Sequence, residues 1–157
     1  MTSKDIVITT HFNMGRADAL SLREKAVKGE ISDTEIIDNE QAVPKYDSKK
    51  DYTNTPIDSP FRHGDQVYGL IQPHNASYYT NIEPGTEGGA TFWRLKHTTN
   101  SKKAKPWVKP TATSPYKKDE CMIWTDGKTM RALRDTVYSP EEYAPDWEVV
   151  SMVGLES

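Results

Sequence analysis

From Arg16 to Lys28 the chain contains neither Pro nor Gly and is rich in Ala, Leu, Glu and Lys. Ala19, Leu22 and Ala26 recur at i, i+3 and i+7, one modest apolar stripe that Val27 widens. The pattern predicts an amphipathic helix stopped by Gly29, a residue type that takes the left-handed turn past a helix end. Ser32-Asp33-Thr34-Glu35 then has the spacing of a capping box, in which the first hydroxyl and the last carboxylate exchange backbone amides. A second short helix is expected there, with Pro44 marking its boundary, so that residues 1–45 form a helical hairpin ending near Val43. Residues 46–60 are dominated by Asp, Ser, Lys, Thr, Asn and Pro and read as connection. Beyond them the period changes. Asp65–Ile71 and Cys121–Trp124 are short apolar-aromatic runs bounded by turn residues. Asp126-Gly127 favours a type I′ turn, predicting a hairpin over residues 120–134.

The second half also repeats itself. Ser59-Pro60-Phe61 aligns with Ser114-Pro115-Tyr116 at an offset of 55, and Phe92-Trp93-Arg94-Leu95 aligns with Asp146-Trp147-Glu148-Val149 at an offset of 54. The expected fold is α+β, mainly β: a short N-terminal helical hairpin followed by two small repeated antiparallel β modules, with Trp93 and Trp147 in equivalent buried positions. The expected boundaries are a leader or assembly segment at 1–45, a divergent first module at 46–97, a basic linker at 98–113 and a second module at 114–157. Two short helices bury little apolar surface by themselves, so the leader is expected to dock on a partner subunit or on copies of the chain.

Composition sharpens this picture. The chain has 157 residues, of which 35% are hydrophobic, and its mean hydropathy is -0.77; the apolar mass is concentrated in rings, with 3 Phe, 4 Trp and 8 Tyr. Such a chain builds small cores and binding faces, not a large multilayer enzyme. It has no run of roughly 20 apolar residues to cross a membrane and no cationic, apolar signal start, so a soluble protein made without a secretion signal is expected. One cysteine, Cys121, excludes an intramolecular disulfide framework. The net charge of -3 argues against a general nucleic-acid binder, yet the charges are polarised. Five acids lie between Glu30 and Glu40 without a Lys or Arg, and six Lys or Arg lie between Arg94 and Lys109 without an acid. These poles read either as solvated faces or as a self-complementary surface.

Catalytic patterns are poor. Asp119-Glu120 and Glu141-Glu142 are adjacent pairs, which a strand would point to opposite faces. Cys121 sits in a strand-like run, where a small buried hydrophobe is the ordinary role. His11, His63, His74 and His97 lack metal-binding spacing, and no Gly-Lys-Ser/Thr follows Gly88-Gly89 to hold phosphates. No enzyme, cofactor, metal or nucleic-acid partner is expected. Trp107, among Lys102, Lys103, Lys105 and Lys109, reads as a ring clasped against one module while its lysines stay wet. The strongest chemical signal is Tyr138-Ser139-Pro140-Glu141-Glu142-Tyr143-Ala144-Pro145-Asp146-Trp147. Two prolines stiffen this loop and hold rings on which the C–H faces of sugars can stack. Tyr138 and Tyr143 are the candidate carbohydrate contacts, with Trp124 beside them and Trp147 closing the core.

Residues 114–150 resemble the type-3 chitin-binding, family 5 and 12 carbohydrate-binding modules of phage and prophage proteins. Tyr116, Asp119, Gly127-Lys128, Arg131-Ala132-Leu133, Tyr138-Ser139-Pro140 and Pro145-Asp146-Trp147 occupy the motif positions, Tyr138 standing where the family has an exposed Trp. Phe61 through Leu95 is similar to a divergent copy that keeps Gly64-Asp65-Gln66-Val67 but has no ring at Ile82-Glu83-Pro84. The resemblance implies a non-enzymatic virion structural protein associated with a tail, baseplate or fibre. Its partners would be other virion proteins, its own copies in a homo-oligomer, and host cell-wall polysaccharide. Two other roles fit the same motifs: a capsid or head-fibre decoration protein making only protein contacts, and an accessory module of a wall-degrading enzyme.

Overall fold

The computed structural model describes residues 20–111 and 114–150, so the predicted first turn of the leading helix, residues 16–19, lies outside it. Helix α1 runs over residues 20–27, and Gly29 follows at φ +70°, as its place past the helix end requires. Helix α2, Asp33–Asp38, starts on a complete capping box. The Glu35 amide donates to Ser32 Oγ at 3.1 Å, and the Ser32 amide donates to Glu35 Oε1 at 3.3 Å. One 3-10 turn, Glu40–Ala42, ends the leader.

Two small sheets follow, giving an α+β fold with seven strands among the described residues. In the first sheet β1 (Pro60–His63), β2 (Gln66–Leu70) and β3 (Trp93–Leu95) are antiparallel in the order β1-β2-β3. Tyr52, Phe61, Tyr68, Leu70, Ala76, Trp93 and Leu95 form its core. In the second sheet β4 (Lys105–Pro106), β5 (Cys121–Ile123), β6 (Thr129–Ala132) and β7 (Trp147–Val149) lie in that order, with β4 parallel to β5 and the other pairs antiparallel. Its core is Tyr116, Met122, Ala132 and Trp147.

Several expectations need correction. The segment 98–113 is more than a linker, since it supplies β4 and also Trp107, which stacks on Tyr116 with ring centroids 5.3 Å apart while Lys102, Lys103 and Lys109 stay exposed. The hairpin at 120–134 forms, but its turn is not type I′. Positive φ occurs at Gly127 and not at Asp126, and the Gly127 amide closes onto the Trp124 carbonyl at 2.9 Å. The turn with two successive positive φ values is Gly64-Asp65, between β1 and β2. Phe61 is not the counterpart of Tyr116: Phe61 pairs with Tyr68 inside β1, whereas Tyr116 forms an isolated bridge to Thr136. Tyr52 has the bonding of Tyr116. Its amide donates to the His74 carbonyl at 2.7 Å, as the Tyr116 amide does to that of Thr136 at 3.0 Å.

The described part of the leader packs on its own chain. Leu22 and Ala26 of α1 join Ile36, Ile37, Val43 and Val67 in one cluster, so part of the leader's apolar surface is covered internally, while Leu20 and Val27 stay exposed. The charged poles also meet within the chain. Glu40 pairs with Lys105 at 2.7 Å, and Asp33 pairs with Arg94 at 2.8 Å and with Lys96 at 2.9 Å. Burial alone would raise the Asp33 carboxyl, but the hydrogen bonds and charges of Arg94 and Lys96 outweigh it and hold the group at about 2.

At the joint between the sheets, His97 stacks on Tyr116 at 3.7 Å and the Leu95 amide donates to Ser114 Oγ at 2.9 Å. Burial depresses His97 from 6.5 to about 4, and burial raises Glu120 from 4.5 to about 7. The unfolded imidazole takes up its proton at higher pH than the folded one, so the His97 contribution is present above pH 6.5 and is lost as pH falls toward 4. Glu120 runs the other way: its contribution is present below pH 4.5 and is lost as pH rises toward 7. The two slopes oppose each other over the shared window. Urea unfolding across pH is expected to show Glu120→Gln gaining stability as pH rises through that window and His97→Gln losing it. Profiles of the same slope in both variants would contradict the assignment.

Candidate functional site

The loop between β6 and β7 is built to hold two rings outward. The Ser139 amide donates to Glu142 Oε1 and the Glu142 amide donates to Ser139 Oγ, both at 3.0 Å, a reciprocal box closed around Pro140. The Tyr143 amide then donates to the Ser139 carbonyl at 2.9 Å, and Pro145 lies in the 3-10 turn Ala144–Asp146 that leads into Trp147. Tyr138 is fixed from both sides. Its amide donates to Thr136 Oγ1 at 3.0 Å, and its carbonyl accepts the indole N–H of buried Trp147 at 2.8 Å. The backbone of Tyr138 is thus tied to the core while the residue is 53% exposed; Tyr143 is 45% exposed, and the two ring centroids lie 6.4 Å apart with planes inclined at 57°.

The two rings border an open cavity of about 620 Å³, which Pro115, Arg134, Asp135, Thr136, Glu142 and Asp146 also line. Asp146 is buried: Thr136 Oγ1 donates to Oδ2 at 2.6 Å, and Arg134 Nε lies 2.7 Å from Oδ1 in an ion pair whose geometry makes no hydrogen bond to that oxygen. The Arg134 guanidinium also sits 5.8 Å from the Tyr143 ring centroid. Stiff rings beside hydrogen-bonding groups in an open cavity suit a ring-shaped, hydroxyl-bearing ligand.

Of the three candidate residues, Tyr138 and Tyr143 come together and Trp124 does not. Trp124 is half-buried on the β5–β6 turn and packs edge-on against Trp107 at 5.4 Å, because its place at the end of β5 turns it toward the second core. Sequence reasoning missed Tyr78 and Tyr79, which are 81% and 54% exposed in the β2–β3 loop. Tyr79 lies 5.8 Å from Phe92, which in turn stacks on His74 at 4.1 Å. The signal was two adjacent rings within a stretch of turn-forming and polar residues, among them Pro73, Asn75, Ser77, Thr80 and Asn81. Ile82 and Pro84, which stand at the motif position of the first copy, are buried.

The residues weighed for catalysis have other surroundings. Cys121 is buried, and burial pushes its thiol up, away from the thiolate a nucleophile needs. His97 stacks on Tyr116 and His74 on Phe92. Among the described residues no group of three or more His, Cys, Asp or Glu could hold a metal ion, and no helix is long and apolar enough to cross a membrane. Comparison with known proteins finds no matching family model and no similar curated protein.

Proposed function

We propose that this chain is a non-enzymatic virion structural protein, associated with a tail, baseplate or fibre, that touches host cell-wall polysaccharide. The observation that carries the binding part is Tyr138: an aromatic residue more than half exposed whose own carbonyl accepts a hydrogen bond from a buried Trp. Holding a ring in water by ties to the core lowers the ordering cost that weak sugar binding must overcome. The virion part rests on the motif resemblance of residues 114–150.

The same reading takes the two sheets as copies of one β module, each beginning earlier in its half than the Ser-Pro motifs suggest. The support is a matched set of contacts. The Tyr46 amide donates to the Arg62 carbonyl at 2.7 Å and the Trp107 amide to that of Ile123 at 2.8 Å; Asp58 donates to Leu70 and Asp119 to Ala132, both at 2.8 Å. Asp58 and Asp119 share φ values of 73° and 74°. Tyr46 stacks on Tyr52 with planes 11° apart, Trp107 on Tyr116 with planes 8° apart, and Tyr52–Trp93 and Tyr116–Trp147 are both edge-on at 5.3 Å. In this alignment the Tyr78-Tyr79 loop and the Tyr138–Tyr143 loop join the corresponding strands, giving each copy an outward pair of rings. The helical leader is then a clamp on the first copy.

Tyr138→Ala is expected to lower retention on host wall polysaccharide about fivefold, the equivalent of about 1 kcal/mol for one aromatic contact, with little change in thermal midpoint. Pull-down of the parent and variant on host walls and chitin-like polymers checks this. Equal retention of the two, or no retention of the parent, would favour a decoration protein that makes only protein contacts.

A further inference from the structure

The cavity beside Tyr138 is more acidic than ring stacking requires. We propose that it selects a polysaccharide bearing free amines, a glucosamine-type polymer, over N-acetylated or anionic counterparts; the inference rests on Tyr138 and Tyr143 being the sugar platform. Three carboxylates, Asp135, Glu142 and Asp146, line the cavity with one cation, Arg134. Arg134 is already paired, 2.7 Å from Asp146, with its guanidinium 5.8 Å from the Tyr143 ring centroid, so its charge is answered within the fold. Asp135 and Glu142 are exposed, and neither takes part in an ion pair among the described residues.

Each of these two carboxylates is held in place by one backbone amide: Lys118 donates to Asp135 Oδ1 at 2.9 Å, and Ser139 donates to Glu142 Oε1 at 3.0 Å. One oxygen anchors the group, and the second is left for an incoming donor without further ordering of the side chain. A sugar ammonium brings the opposite charge and three N–H donors, and it can lie beside the electron-rich face of Tyr138 while the pyranose stacks. An acetamide brings one weaker donor and no charge. A phosphate- or carboxylate-bearing polymer meets two uncompensated negative charges and is disfavoured.

Calorimetric titration of the full chain with glucosamine hexasaccharide and with N-acetylglucosamine hexasaccharide, at mildly acid pH where the amine is protonated, tests this. The glucosamine oligomer is expected to bind about fivefold more tightly at low salt. The ratio should fall toward one at about 0.5 M NaCl, where the screening length drops below the size of the cavity. In the Asp135→Asn/Glu142→Gln double variant, whose amide side chains keep a carbonyl for the Lys118 and Ser139 amides, the ratio should also fall toward one. Equal or reversed affinities in the parent at low salt would overturn the amine preference while leaving the sugar platform standing. Binding of neither oligomer would overturn the platform and the preference with it. A preference that persists in the double variant would overturn its assignment to these carboxylates.

Discussion

Replacing Asp33 by alanine is expected to destabilise the protein by about 3 kcal/mol or more, the cost of leaving a buried charge without its partner. The Lys96 side chain is 2% exposed, and its ammonium lies 2.9 Å from Asp33 Oδ1. Burial lowers the Lys96 pKa, and Asp33 is the neighbour that opposes this most. Asp33 also receives both terminal nitrogens of Arg94, at 2.8 and 3.2 Å, so one carboxylate from the leader bridges two cations on the strand side. The double variant Asp33→Ala/Lys96→Met should recover much of the loss, because an apolar chain of similar length removes the stranded charge. In the parent, the Asp33 contribution is present above pH 3.8 and lost as pH falls toward 2, since its folded pKa lies below its unfolded value. Denaturant unfolding of the three proteins measures this; a single variant as stable as the parent would show that the leader is not anchored there.

The second large effect is expected at the two tryptophans that begin β3 and β7. Trp93 and Trp147 are 2% and 5% exposed, each at the centre of a ring cluster, and truncation to alanine should cost on the order of 3–5 kcal/mol at either site. Phenylalanine separates them. The Trp147 indole donates to the Tyr138 carbonyl, whereas the Trp93 indole nitrogen is buried with no hydrogen-bond partner. Trp147→Phe should therefore cost about 1 kcal/mol more than Trp93→Phe. It should also weaken polysaccharide retention by loosening Tyr138. Equal costs for the two phenylalanine variants would remove the proposed tie between core and ring.

Local chemistry was the legible part of this sequence. The capping box at Ser32-Glu35, the stop at Gly29, the hairpin at 120–134 and the burial of Trp93 and Trp147 follow from short-range steric and hydrogen-bonding rules that the residues themselves carry. Tyr138 and Tyr143 were legible because prolines and a Ser–Glu pair stiffen a loop in any context. What depended on distant partners was not legible. The like bonding of Tyr52 and Tyr116 does not show in the motifs, because three more residues separate Tyr52 from Asp58 than Tyr116 from Asp119, which puts the Ser-Pro pairs at different places in the two segments. The place of Trp107 in the second core depends on β4 lying parallel to β5, a pairing that a two-residue strand does not announce. The acidic leader read as an assembly segment because its counter-charges, Arg94, Lys96 and Lys105, lie more than sixty residues away in the chain.

The central claim, that the β6–β7 loop is a polysaccharide contact held by the core, is tested most directly by a ¹H–¹⁵N titration of the full chain with glucosamine and N-acetylglucosamine hexasaccharides and with soluble host-wall fragments. Shifts are expected to concentrate at residues 134–146 and at the Trp147 indole N–H, with a smaller set at Tyr78 and Tyr79 and none at residues 101–105. Spectra in which residues 134–146 stay unmoved with every one of these sugars, while the protein remains folded, would contradict it.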